Sequence, residues 1–214
     1  SQTNEDGFTS EQYSRFKNAV ARFKNAGLKP AFCHCSNSAA CILDKDKQLD
    51  VCRPGIILYG LSPSDAPELE CGLIPVMTLK SVVSMVKEIK KGDVVSYGKT
   101  FKAEKDMKIA TVSAGYADGY SRLLSNKVSV LVSDTLVPQV GKICMDQCMI
   151  DVTGVNNISR GDEALIFGDG AITAEDIAGW LGTINYEVTC MLGHRVPRIY
   201  KRNGKTVKVL EYLL

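Results

Sequence analysis

The chain has 214 residues, 45% of them hydrophobic, 23% charged and only 7% aromatic, with a formal net charge of +2. So even a balance gives no reason to expect nucleic acid or an acidic membrane as partner. No apolar run approaches the roughly 18 residues of a membrane span, and no signal-peptide pattern stands at the start. Disordered, membrane-spanning and secreted disulfide-rich classes are excluded, and the length allows one large domain or two modest ones.

After a polar start, Thr9-Ser10-Glu11-Gln12 has the form of a capping box, with Phe8 placed to staple onto Tyr13. Tyr13, Phe16, Val20 and Phe23 then recur at helical spacing until Gly27. Pro30 to His34 reads as a short buried strand, and Ser36-Asn37-Ser38 supplies N-cap chemistry for a helix opening at Ala39. A charged turn, Asp44 to Lys47, leads to a second short strand ending at Cys52. This α-β-α-β order predicts parallel strands with crossover helices, a slice of a barrel that about 60 residues cannot close. From Gly72 the pattern turns to β: Val76 to Ile89, Ile109 to Ser113, Val128 to Val132, Val137 to Ile143, Met149 to Val152 and Ala164 to Phe167. Thr173 caps one helix that ends before Gly182, after which Asn185 to Cys190 and Val196 to Tyr200 resume strand patterning. Asn203-Gly204 is the strongest hairpin signal in the chain. The expected organisation is an α/β part over residues 1–71 and a mainly β domain over residues 72–214.

Eight cysteines are many, but they form no C-x-x-C and only two histidines accompany them. On a strand, His34 would face away from Cys33 and Cys35, so no metal site is expected and the thiols read as small buried groups in a reducing cytoplasm. Candidate chemistry lies elsewhere. The strand-to-helix junction around Ser38 presents backbone N–H groups to an anion, or is simply an N-cap. Arg53-Pro54-Gly55-Ile56 places a guanidinium and a close-approach glycine at the next junction, where α/β barrels set phosphate sites. Tyr97 and Tyr116 each stand beside a glycine, and Met145-Asp146 follows an apolar strand.

Taken together, H-C-S-N-S-A-A (34–40), C-R-P-G-I-I-L-Y-G (52–60), V-S-Y-G-K-T-F (95–101), G-Y-A-D-G-Y (115–120), V-G-K-I-C-M-D-Q (140–147) and N-Y-E-V-T-C (185–190) with R-V-P-R-I-Y (195–200) resemble the alanine racemase family in order and spacing. The resemblance covers essentially the whole chain. It implies a bacterial pyridoxal 5'-phosphate enzyme that interconverts L- and D-alanine by two-base proton transfer and feeds peptidoglycan synthesis. The implied architecture is a (β/α)8 barrel followed by a mainly β C-terminal domain. The complete enzyme is implied to be a head-to-tail homodimer whose sites join the barrel of one subunit to the β-domain of the other. The match begins late in the barrel. The family's cofactor lysine, in a motif like K-A-N-A-Y-G, has no counterpart here, so the chain is expected to be the C-terminal half and inactive alone, with doubtful cofactor binding.

The resemblance assigns roles residue by residue. Ser38, Gly55, Ile56 and Tyr186 correspond to the phosphate-binding groups, and Arg53 to the arginine facing the pyridine nitrogen. A guanidinium donates to that nitrogen without protonating it, which leaves the ring a weaker electron sink. His34 links that arginine to the catalytic phenol, and Tyr97 is that phenol. A free phenol titrates near pH ~10, so the role requires positive charge beside it. Met145 and Asp146 face the substrate carboxylate, while Tyr116, Arg122, Lys142 and Ile184 line the substrate corridor. Lys142 stands where many members carry arginine, which keeps the charge and loses the bidentate fork. Tyr186 favours alanine over the serine racemases of the same family, which tend to carry a smaller polar residue there. Arg53 argues against the related decarboxylases, which use a carboxylate at the ring nitrogen. The remaining alternative is a non-catalytic dimerisation domain.

Overall fold

The computed structural model describes residues 7–63, 72–168 and 170–212. Cys71 and the boundary expected after it fall outside these residues. The chain divides into two compact units, Ser1–Met77 and Thr78–Leu214.

The first unit holds helix α1 (Phe8–Asn25), helix α2 (Ser38–Leu43) and 3-10 turns at Lys45–Lys47 and Ile56–Tyr59. Helix α1 starts earlier than the capping box predicts. Gly7 is its N-cap, with no side-chain hydrogen bond, and Phe8 lies inside the helix rather than before it. Its C-terminus closes as expected, with Gly27 donating to the Lys24 carbonyl and Leu28 to that of Phe23. The two strands expected at Pro30–His34 and up to Cys52 are absent among the described residues, and Phe32 is 70% exposed rather than buried. The segments do run side by side, with Asp50 N donating to Cys33 O (3.1 Å) and Arg53 N to Ser36 O (2.9 Å). Two bonds three residues apart are too sparse for a ladder, since a parallel strand needs evenly spaced bonds along its length. The alternation that would set His34 against its neighbouring cysteines is therefore missing as well.

In the second unit the strands are β1 (Leu79–Ile89), β2 (Val94–Val95), β3 (Phe101–Lys102), β4 (Met107–Val112), β5 (Ser129–Val132), β6 (Thr135–Val140), β7 (Cys148–Asp151) and β8 (Glu163–Phe167). Six of them close an antiparallel barrel in the order β1-β4-β7-β6-β5-β8, and β2 pairs with β3 apart from it. Closure depends on β1, which is long enough to serve two neighbours. Val82 pairs with Glu163 of β8 and Glu88 with Lys108 of β4, and the register shifts between Val83 and Met85. A bulge there bends the strand round the barrel. Inward residues such as Val112, Val130, Ile150 and Ile166 are completely buried, each contributing roughly 1.5–3 kcal/mol of apolar burial.

Helix α3 (Ala174–Leu181) is capped as predicted, with Thr173 and Asp176 bonding each other's backbone N–H. The following segment is a correction. Asn185 to Cys190 is not a strand but lies in helix α4 (Asn185–Met191). Val188 and Thr189 are buried, and Thr183 donates its hydroxyl to Glu187 across the first turn. Packing of this face overrides the strand preference of a β-branched pair. Strands β9 (Arg198–Arg202) and β10 (Lys205–Leu210) form the expected hairpin around Asn203-Gly204. The thiols are also less buried than expected, for only Cys148 is fully enclosed among the described cysteines and Cys190 is exposed.

Candidate active site

In the first unit, the chemistry gathers at the start of α2. Asn37 takes an extended conformation and its Oδ1 accepts from Ala40 N (3.0 Å), which sets Ser38 in the first turn. Ser38 is buried, and its Oγ accepts from Gly55 N at 2.8 Å. Gly55 opens the 3-10 turn Ile56–Tyr59, whose first N–H groups have no partner within the turn. A Cβ on Gly55 would lie 3.6 Å from Ser38 Oγ, directed into the space beside it.

Arg53 is fixed from two sides, its Nη1 at 2.7 Å from His34 Nδ1 and its Nη2 donating to Cys35 O (3.3 Å). A guanidinium only donates, so His34 Nδ1 is the acceptor and the imidazole is the neutral form with its proton on Nε2. His34, Asn37 and Arg53 line a cavity of about 380 Å³ together with Tyr13 and Phe16 of α1.

The second unit builds a cavity of about 720 Å³ around Tyr97. Tyr97 opens a 3-10 turn just beyond β2 and is 70% exposed, while Val95, two residues before it, is buried among Ile89, Ile109 and Val140. Between them Ser96 takes φ +66°, a conformation that costs a non-glycine residue energy. Its Oγ compensates by donating to Lys142 O (2.6 Å). Gly141 makes this approach feasible, since a Cβ there would meet Val95 O at 2.8 Å. The Gly141 turn is itself held by two polar side chains, buried Gln139 and exposed Asn126. Asn126 Oδ1 accepts Gly141 N (2.6 Å), and Gln139 Nε2 donates to Gly141 O (2.9 Å) while its Oε1 accepts Asn126 N (2.7 Å).

Met145 and Asp146 line the same cavity as Tyr97. Their loop is strapped to the Tyr116 turn, with Tyr116 N donating to Cys144 O and Ala117 N to Met145 O, both at 3.0 Å. Gly115 permits that contact, because a Cβ would stand 2.3 Å from Met145 O. Tyr116 itself is exposed beside this loop and is absent from the cavity lining. Tyr186 is half-buried in α4 and also lies outside the lining. Thus His34 meets Arg53 and Ser38 meets Gly55 in one unit, and Tyr97 meets Met145 and Asp146 in the other.

Sequence reasoning passed over Ser96, Cys144, Asp118 and Arg195. Ser96 Oγ lies 3.5 Å from Cys144 Sγ, which also faces the cavity. Arg195 Nε binds Asp118 Oδ1 (2.9 Å) and its Nη2 binds Asp146 Oδ1 (2.8 Å). The hydrogen bond that Arg195 donates to Asp146, then the charge of Asp118, raise the guanidinium above its ordinary range. Ser96, Cys144, Asp118 and Arg195 each lie in a different motif of the resemblance, but only the fold brings the motifs together.

Comparison with known proteins agrees with the motifs. Residues 1–63 match the alanine racemase N-terminal domain and residues 76–200 the alanine racemase C-terminal domain. The alanine racemase of Desulfovibrio desulfuricans is 49% identical over 190 residues, which cover 89% of this chain and 51% of that protein. That of Clostridium perfringens is 45% identical over 210 residues, 96% of this chain and 54% of the relative. Among solved structures, Clostridium difficile alanine racemase in complex with cycloserine superposes with a TM-score of 0.92 at 41% identity, covering 100% of this chain and 57% of that one. The Bacillus anthracis alanine racemase with bound L-Ala-P gives 0.91 at 39% identity, covering 98% and 55%. The chain spans about half the length of the curated relatives it matches. With both domain models matched in order and identities well above what chance or fold alone produces, the chain belongs to the alanine racemase family.

Proposed function

We propose that this chain is the C-terminal half of a pyridoxal 5'-phosphate racemase that interconverts L- and D-alanine, its first unit being the last part of the (β/α)8 barrel. The observation that carries the reading is Tyr97, held outward on a strained, well-anchored turn over a cavity that Met145 and Asp146 also line.

The residues of the first unit fit the cofactor. Ser38 Oγ, held by Gly55 N, stands beside the first turn of Ile56–Tyr59, and a phosphate there would take the hydroxyl and the Gly55 N–H in place of their mutual bond and add the Ile56 N–H. Arg53, locked by His34 and Cys35 O, is a donor suited to an acceptor nitrogen such as that of a pyridine. When bound, the cofactor draws electron density from the amino acid and makes its Cα–H acidic. Arg53 keeps its proton, so it would offer a pyridine nitrogen a hydrogen bond without transferring a proton to it. Tyr97 Oη takes or returns the proton on one face of Cα. The base for the other face is the cofactor lysine, whose motif does not occur in these 214 residues. The chain alone is accordingly inactive, and the complete protein is a cytoplasmic homodimer in which Tyr97 of one protomer serves the cofactor of its partner. The product supplies peptidoglycan synthesis.

The test uses this chain joined to the rest of its barrel, with cofactor, and follows α-hydrogen exchange of each enantiomer in D2O. Tyr97→Phe is expected to abolish exchange from one enantiomer, lower turnover about 10²-fold or more, and leave the cofactor absorbance unchanged. Equal exchange loss from both enantiomers together with cofactor release would overturn the assignment.

A further inference from the structure

Asp146 poses an electrostatic problem for the function proposed above. A carboxylate at the rim of the cavity repels an amino-acid substrate whose own carboxylate must approach the same rim. Arg195 sits where it removes that difficulty. Its fork grips Asp146 Oδ1 with Nη2 (2.8 Å) and Asp118 Oδ1 with Nε (2.9 Å). Asp118 in turn accepts Gly115 N through Oδ2 (2.9 Å), and its carbonyl accepts Gly193 N (3.2 Å), two residues before Arg195. The Gly115–Asp118 turn donates to Cys144 O and Met145 O. Arg195 thus closes a ring of bonds running from the 115–118 turn through the 144–146 loop to the segment after α4.

We infer that Arg195 is a positioning residue that masks the charge of Asp146 and holds the Met145–Asp146 rim for an anionic substrate carboxylate. Asp118 is the second anchor that fixes the direction of the fork. A lysine at 195 would keep the charge but grip one carboxylate at a time. The inference rests on the racemase reading, because it names a group that prepares the substrate end of that site.

Steady-state kinetics of the complete protein test it. Arg195→Gln is expected to raise KM for alanine about tenfold with kcat within about threefold, and Arg195→Lys to raise it only about threefold. In an Asp146→Asn background the same Arg195→Gln change is expected to alter KM less than about twofold, because Asp118, the other carboxylate that Arg195 grips, lies outside the cavity lining. In the 214-residue chain, amide exchange of Ala117 is expected to quicken in Arg195→Gln and to be largely restored in Arg195→Lys. An unchanged KM in Arg195→Gln, or a KM rise equal in both Asp146 backgrounds, would overturn the charge-masking role. A complete wild-type protein without alanine racemisation would instead remove the function on which the inference stands.

Discussion

The two units solve the burial problem differently. In the second, six strands close on themselves, so residues such as Val112, Val130, Ile150 and Ile166 are enclosed and each barrel strand is paired on both sides. In the first, the 18-residue helix α1 has no buried residue, and the buried apolar side chains described there are Ala39, Ile56, Leu61 and Pro63. Its order comes from local polar pairs: the Asn37 cap, Ser38 with Gly55, Arg53 with His34, and Cys33 N with Asp50. On the proposed reading the rest of the barrel covers this unit's exposed apolar groups, while these polar pairs hold its functional groups in register. The difference also predicts where substitutions are felt.

The largest contrast is expected from core truncation. Ile150→Ala removes a side chain with no exposure and should cost about 3–4 kcal/mol of unfolding free energy. Phe23→Ala on α1, at a residue 53% exposed, should cost below about 1 kcal/mol. Denaturant midpoints of both variants check the pair, and equal losses would break the comparison.

A smaller contrast concerns two glycines. Gly115→Ala drives a Cβ to 2.3 Å from the Met145 carbonyl, backbone that cannot yield easily, for about 2–3 kcal/mol. Gly55→Ala meets only Ser38 Oγ at 3.6 Å and should change stability by less than about 1 kcal/mol. If the proposed cofactor role holds, its effect should show instead as weakened pyridoxal phosphate affinity in the complete protein, measured by absorbance titration.

The smallest effects concern two buried groups in the second unit. Burial pushes the Cys148 thiol from 9.0 up to about 12, with the neighbouring Cys144 adding to it, and burial likewise raises the Tyr120 phenol. The native state then keeps protons that the unfolded chain releases. The stabilisation is complete below pH 9 and is lost progressively as pH rises towards 12. Cys148→Ala should flatten that alkaline decline in thermal melts. Tyr120 Oη is buried with no hydrogen-bond partner, so Tyr120→Phe at neutral pH should be neutral or stabilising by up to about 1 kcal/mol.

Much of the molecule was legible in advance. The barrel strands followed from the β-rich runs after Gly72, and Thr173 and Asn37 announced their helices because capping is local chemistry. The two short strands near Cys33 and Cys52 misled, since their apolar runs satisfy a strand pattern but not a ladder. Asn185 to Cys190 misled for the opposite reason: its residues prefer strand, and burial of Val188 and Thr189 decided for helix. Tyr97, Met145 and Asp146 were named from motifs, while Ser96 and Gly141 behind them carried no separate signal. A strained φ and a close backbone approach show only when two segments meet.

By itself the sequence determined the family, the turn and cap positions, and the identity of the groups able to donate, accept or carry a proton. Those properties depend on residue type and short spacing. Tertiary structure alone decided that β1 serves two neighbours to close the barrel, that His34 is the neutral acceptor of Arg53, and that Arg195 grips both Asp118 and Asp146. Each of these joins residues far apart in the chain, where a hydrogen bond depends on ångström distances that no local pattern encodes.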